Sequence, residues 1–130
     1  METRKRLLDT DVLLSKKFVE VKEPYVVSLI SIIEITSVIR RKYLELAKKG
    51  EKSRAEGYIR FLNLTLSHIR NNVVEVTFRD VERGIELMFE RDVNLGEAVN
   101  TMVAKRLNLT VISSDKDWES LRDIIDVENM

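Results

Sequence analysis

The sequence predicts one α/β domain, 1–130, built on a mainly parallel sheet of four to five strands with helices packed on both faces. Three observations predict it. Short apolar, β-branched runs alternate with stretches of helical periodicity, the pattern of successive βαβ units. The chain has 130 residues, enough for one core. Two of the apolar runs end on alternating acids, Asp9 and Asp11 in RLLDTD and Asp115 and Asp117 in ISSDKD. In open parallel sheets the carboxyl ends of the strands are where ligands bind.

Each element follows in order. RLL leading into Asp9 reads as a short buried strand, and DVLLSKKF as a brief helix after it. EPYVVSLIS contains the only proline and then a β-branched run, which predicts a second strand near Val26 to Leu29. From Ser31 to Lys49 the pattern is helical, with Ile32, Ile35, Ile39, Tyr43 and Leu46 three or four apart, and Gly50 ends it. Tyr58, Phe61, Leu62, Thr65, Leu66 and Ile69 form the stripe of another helix. NNVVEVT reads as a turn and a third strand. Residues 79–91 are expected to be helical through Val81, Ile85, Met88 and Phe89. Asn94 opens a helix through Leu107, TVISS makes a fourth strand, and DIIDVEN supplies a fifth.

Composition narrows the class. Hydrophobic residues make up 44% and charged residues 34%, which is globular. No apolar run approaches the roughly 18 residues needed to cross a bilayer, and the apolar part of METRKRLL is too short for a secretory signal. There is no cysteine, hence no disulfide framework and no thiolate metal site, in keeping with a cytoplasmic protein. Glutamine is also missing, and a charge-rich chain without either residue leans towards a thermophilic source. Net charge is zero but unevenly spread: residues 1–60 carry 14 Lys/Arg against 9 Asp/Glu, and residues 61–130 carry 8 against 13. Basic clusters such as Arg40-Arg41-Lys42 suit a phosphate backbone as well as they suit an ordinary solvated face.

Asp9 and Asp115, each ending a strand, should project from one sheet edge. Glu34, in LISIIEITSVI, and Glu97, in NLGEAVNTMV, are candidates to join them. Each has a plainer reading: Ser31-x-x-Glu34 and Asn94-x-x-Glu97 resemble capping boxes, and Ser114-x-x-Asp117 could cap a short helix. For Glu34 the cap reading is the weaker one, because a first-turn cap faces water and this glutamate sits among isoleucines. Four converging acids repel one another and persist only around a cation or with some protons retained. All-oxygen ligation without Cys or paired His points to Mg²⁺ or Mn²⁺ and away from zinc. His68, near the end of its helix, reads as an ordinary surface residue.

LLDTDVLLS, SIIEITSVI and LGEAVNTMVAKRLNLTVISSDKDWESL resemble the successive motifs of PIN domains, above all the small VapC-type toxins. Asp9-Thr10-Asp11 stands where the family has Asp-Thr-Asn, and Glu34 is the glutamate inside an apolar helix start. Glu97-Ala98 takes the place of an Asp-Ala pair, a departure of one methylene that bears on metal geometry. Ser113, Asp115, Asp117 and Trp118 match the closing hydroxyl, paired acids and aromatic. The resemblance implies a PIN-like α/β/α sandwich and divalent-metal-dependent hydrolysis of RNA. It places Asp9, Glu34, Glu97 and Asp115 around one or two Mg²⁺ or Mn²⁺ ions, with Asp117 as a further ligand. Asp11 and Asp117 would bind through water or orient the ligands, and Thr10 and Ser113 would do the latter. Arg40, Arg41 and Lys116 would hold the RNA backbone. Trp118 would stack a base or anchor its loop to the core.

The resemblance also implies a homodimer and a cognate antitoxin partner. For self-association the residues add surplus apolar positions at Ile33, Val38 and Leu44. The alternatives are a housekeeping RNA-processing nuclease and a PIN fold kept only for protein interaction. Asp9-x-Asp11 also opens the pattern of haloacid-dehalogenase-like phosphatases. There, however, Ser113 or Ser114, Lys116 and Asp117 crowd into five residues with too little chain after them.

Overall fold

In the computed structural model the described residues are 5–15, 17–21 and 24–130, less the side chains of Lys17, Lys116 and Asp117. The strands are β1 (Arg6–Leu8), β2 (Tyr25–Ser28), β3 (Val73–Val74), β4 (Thr110–Ser113) and β5 (Val127–Asn129). The helices are α1 (Thr10–Leu14), α2 (Leu29–Lys48), α3 (Lys52–Ile69), α4 (Phe78–Arg91) and α5 (Leu95–Leu107), and a 3₁₀ turn (Lys116–Leu121) joins β4 to β5.

The sheet order is β3-β2-β1-β4-β5, with every neighbouring pair parallel. The chain moves outward from β1 to β2 and β3, then returns across β1 to β4 and β5. The order therefore reverses between β1 and β4, and the crevice beyond that point is where such sheets bind ligands. Leu7 pairs with Val26 on one side and Val111 on the other.

Strand alternation divides the core in two. Leu7, Val26 and Val111 face Leu87 of α4 and Val99 and Val103 of α5. Leu8, Tyr25, Val27 and Ile112 face Val12 and Leu13 of α1, Ile35 of α2 and Ile69 of α3. Both faces are covered, which gives the PIN-like α/β/α sandwich expected. The stripe foreseen for α3 is also found, with Thr65 and Ile69 buried and Leu62 and Leu66 packed against the same cluster.

Two boundaries differ from the sequence reading. The second strand ends at Ser28, not Leu29. α2 begins at once, because the Ser28 hydroxyl accepts the Ser31 backbone N–H and serves as the cap. Ser31 is thus inside the helix, and Ser31-x-x-Glu34 is no capping box. On α4 the helical spacing of Val81, Ile85, Met88 and Phe89 does not mark the buried face: Phe89 is 81% exposed and Ile85 also faces solvent. The buried face carries Asp80, Gly84 and Leu87. Gly84 explains the rotation: a Cβ there would meet Val99 Cγ2 at 2.8 Å, so α4 lies directly against α5 through it. Asp80 tolerates burial because Arg106 of α5 donates to both its oxygens at 2.9–3.2 Å and the Thr77 N–H donates at 2.9 Å.

Candidate active site

The β1–β4 reversal places Asp9 first. Its backbone N–H donates to the Ile112 carbonyl at 3.0 Å, fastening the end of β1 to β4. Its carboxylate then lies 6% exposed at the sheet edge. Oδ2 accepts from the Trp118 indole N–H at 2.8 Å and from the Ser113 hydroxyl at 3.2 Å. Trp118 is itself buried, so its indole anchors the post-β4 turn against the core and holds Asp9. Asp11, the second residue of α1, accepts the Ser114 N–H at 2.8 Å and also the Ser114 hydroxyl. Ser113 lies 3.4 Å from both Asp11 oxygens, so one hydroxyl stands between two carboxylates. The same oxygen accepts the Asp115 N–H at 2.9 Å and sets the turn that carries Asp115.

Burial, and then the hydrogen bond and negative charge of neighbouring Asp11, push the Asp9 carboxyl up to about 8 against the pull of Trp118 and the Thr10 backbone. Asp9 therefore keeps its proton at neutral pH.

Glu34 comes from α2. Its Oε1 accepts the Thr10 hydroxyl at 2.7 Å, beside Asp9. The other side of the carboxylate lies over Gly96, where a Cβ would come within 2.0 Å of Oε2. Only a glycine at that position lets Glu34 rest on the first turn of α5. Glu97 is the next residue, 5% exposed. Its N–H donates to the Asn94 side-chain oxygen at 2.8 Å, and its Oε1 accepts from the Asn94 amide at 2.6 Å. Asn94 caps α5 as foreseen, but the return bond goes to its side chain and not to its backbone.

Asp9, Thr10, Asp11, Ser113 and Asp115 are thus joined across β1 and β4, and Glu34 bridges them to the Gly96–Glu97 turn. The side chains of Asp117 and Lys116 lie outside the described residues. Arg40 and Arg41 stay apart: both are exposed on α2, about 9 Å along the helix axis beyond Glu34. His68 is exposed as expected, with its ring edge-on to Phe18 at 5.1 Å.

A buried set was missed in the sequence reading. Asn100, one turn beyond Glu97, is fully buried between Ser28 and Ser31. Its only signal was a polar residue three places from Glu97 in a stretch, Ala98 to Ala104, otherwise apolar but for Thr101.

The donor chemistry fits a hard cation. None of Asp9, Asp11 and Glu34 has a Lys or Arg partner among the described residues, so their mutual repulsion is left to a proton or an added cation. Among the described residues no three acidic or histidine side chains stand close enough to cage an ion as they lie. The acids are turned instead onto Trp118, Thr10 and Asn94.

A parallel sheet reversing at β1–β4, with carboxylates at the reversal, defines an α/β domain with an acidic site at its switch point. The PIN domain family model matches residues 6–124, and this chain belongs to that family. It shares its fold with PAE2754 from Pyrobaculum aerophilum (17% identity, 97% of this chain and 90% of that one, TM-score 0.70). The same holds for VapBC-5 from Mycobacterium tuberculosis, a member of the VapBC family of toxin-antitoxin systems (16%, 98% and 98%, TM-score 0.66). VapBC2 from Rickettsia felis, bound to a DNA fragment from its promoter, also matches (12%, 97% and 98%, TM-score 0.61). No curated protein matches the chain in sequence.

Proposed function

We propose that the protein is a Mg²⁺- or Mn²⁺-dependent ribonuclease and the toxin of a VapBC-type pair. The observation that carries the catalytic half is the acid group at the β1–β4 reversal of a PIN domain, in which Asp9, Asp11 and Glu34 have no Lys or Arg partner among the described residues and burial beside Asp11 raises the Asp9 pKa. The toxin half rests on fold similarity to VapBC proteins.

Asp9, Glu34, Glu97 and Asp115 would hold the ion, and Asp11 and Asp117 would complete or orient its shell. When bound, the cation supplies a Lewis acid for the negative charge that builds on the phosphodiester. The chain's own part is positional. Trp118 and Ser113 aim Asp9, Thr10 aims Glu34, and Asn94 aims Glu97. Asp9 would give up its carboxyl proton on holding the ion, so ion affinity should rise with pH up to about 8. Arg40 and Arg41 contact the RNA backbone away from the cleaved bond, Lys116 is a further phosphate contact, and none of the three reads sequence. The protein acts in the cytoplasm, and no helix among the described residues is long and apolar enough to cross a membrane. It forms a homodimer through exposed apolar positions, of which Ile33 on α2 is 60% exposed.

RNA cleavage by wild type and Asp9→Asn, each with Mn²⁺ and with chelator, tests the reading. Cleavage confined to wild type with metal is expected, and full activity in Asp9→Asn refutes the metal site. A second reading, a PIN fold kept as an interaction module, draws on the failure of three described acids to close on one point. A melting temperature unmoved by millimolar Mn²⁺ would favour it. A bound ion at a hundred times its Kd adds about 2.7 kcal/mol.

A further inference from the structure

The buried set around Asn100 forms a continuous series of hydrogen bonds. Ser28 Oγ accepts the Ser31 N–H at 3.4 Å and donates its own proton to Asn100 Oδ1 at 2.5 Å. That settles the orientation of the amide, whose Nδ2 then donates to Ser31 Oγ at 2.9 Å. Thr10 Oγ1 lies 3.2 Å from Ser31 Oγ and 2.7 Å from Glu34 Oε1. One hydroxyl has one proton, and the shorter bond, to a carboxylate, takes it. The Ser31 proton is then left to make the 3.2 Å contact to Thr10. Every donor in the series points the same way, from Ser28 through Asn100, Ser31 and Thr10 to Glu34. Bonds aligned in this manner polarise one another and strengthen the last.

From this geometry we propose that Asn100 is a positioning residue for the metal site, acting on Glu34 through Ser31 and Thr10 without touching metal or substrate. The inference rests on the metal-binding reading of the acids. Three features separate it from ordinary core satisfaction. Asn100 is completely buried on α5, while both its partners belong to the β2–α2 junction. The series ends on a candidate ligand. Glu34 is also held from the far side by Gly96, on the same helix as Asn100. α5 therefore grips Glu34 twice, once by close approach of backbone and once through the amide. Without the amide, the Ser31 hydroxyl loses the donor that fixes it, and Thr10 loses a fixed neighbour beside Glu34.

The test is a double-mutant cycle on Mn²⁺ affinity, measured by calorimetry on the full chain without RNA. Wild type, Asn100→Leu, Thr10→Val and the double variant are compared, with melting of each metal-free protein alongside. Residues that orient ligands change metal affinity by roughly 10–100-fold, and each single variant should weaken Mn²⁺ binding at least about tenfold. The double variant should be no weaker than Thr10→Val, because both cut the same series. Losses that multiply in the double variant, or wild-type affinity in Asn100→Leu, overturn the proposal. Ser31→Ala breaks the series at its middle with a smaller disturbance. It should match Thr10→Val, and if it binds Mn²⁺ as wild type does the proposal fails even where Asn100→Leu does not fold. Absence of Mn²⁺ binding by wild type itself would show that the metal reading, not only this step, is wrong.

Discussion

Asp9 and Asp80 are nearly equally buried, 6% and 4% exposed, and their surroundings treat them in opposite ways. For both, burial raises the pKa. At Asp80 that is outweighed by the Arg106 guanidinium, the Thr77 N–H and the Thr77 hydroxyl, and the carboxyl is held below its ordinary value. At Asp9 the neighbour is another carboxylate, and the pKa climbs to about 8. Asp80 belongs to the architecture: it closes a capping box at the start of α4 and clamps α4 to α5. Asp9 ends a strand and faces a crevice. The fold supplies a cation to one of these buried acids, and to the other it supplies a second carboxylate.

The largest expected effect breaks the Asp9 side. Asp9→Asn should lose RNA cleavage and Mn²⁺ binding while gaining metal-free stability, because a carboxyl raised from 3.8 to about 8 holds its proton more tightly folded than unfolded. Its stabilising contribution is complete below pH 4 and drains away as pH rises to about 8, at no more than about 1.4 kcal/mol per unit. Melting wild type and Asp9→Asn across pH 4–8 without metal should show the gap widening in favour of the variant. A constant gap would mean that Asp9 is not the group titrating.

Asp80→Asn should do the reverse. It removes the charged partner of Arg106, itself over a third exposed, so the loss is smaller than for a fully buried pair. About 2 kcal/mol is expected by denaturant titration, with Mn²⁺ affinity unchanged. The Asp80 contribution is present above the ordinary carboxylate range and fades as pH falls below it, opposite in sign to that of Asp9. An altered Mn²⁺ affinity would show that the two acids are not independent.

Two glycines carry the comparison to the backbone. A Cβ at Gly84 meets the backbone of Val99 at 3.1 Å as well as its side chain, so α4 and α5 must separate. Overpacking of about 1–3 kcal/mol set against about 1 kcal/mol of helix propensity leaves Gly84→Ala destabilised with its site intact. A Cβ at Gly96 meets only the far end of the Glu34 side chain, which can swing away. Gly96→Ala should melt near wild type yet bind Mn²⁺ about tenfold more weakly. Equal melting losses in both would undo the distinction.

What was legible in the sequence follows the same division. Features that rest on local pattern could be read directly: the apolar runs that became β1, β2 and β4, the acids that follow β1 and β4, and the Asn94 cap. Features that rest on tertiary partners could not. Asp80 reads as a surface acid until Arg106, 26 positions away, is seen to bind it. The stripe Val81, Ile85, Met88 and Phe89 has good helical spacing, but the close approach at Gly84 selects another face. Ser31-x-x-Glu34 has the letters of a capping box, and only the end of β2 at Ser28 shows that the helix has already begun. Asn100 was invisible because its two partners lie 69 and 72 positions away.

The smallest expected effect concerns Glu97, which has features of both acids. Like Asp80 it sits in the first turn of a helix and is bonded to the cap, with Asn94 donating to its Oε1 at 2.6 Å. Like Asp9 it is buried at the end of the sheet where the strands finish. Glu97→Gln keeps the shape and the acceptor but removes the charge. If the residue only completes the cap, the Asn94 bond survives, stability shifts by a few tenths of a kcal/mol, and Mn²⁺ binding is unaltered. If it is a ligand, stability still barely moves while Mn²⁺ affinity and cleavage both fall. Glu97→Asp keeps the charge, shortens the reach towards Asn94 and restores the family's usual residue. It should give up some melting temperature and retain activity. The pair separates charge from reach, and we expect charge to govern cleavage and reach to govern stability. Wild-type Mn²⁺ affinity and cleavage in Glu97→Gln would place Glu97 with Asp80 as architecture and leave Asp9, Glu34 and Asp115 as the principal acids.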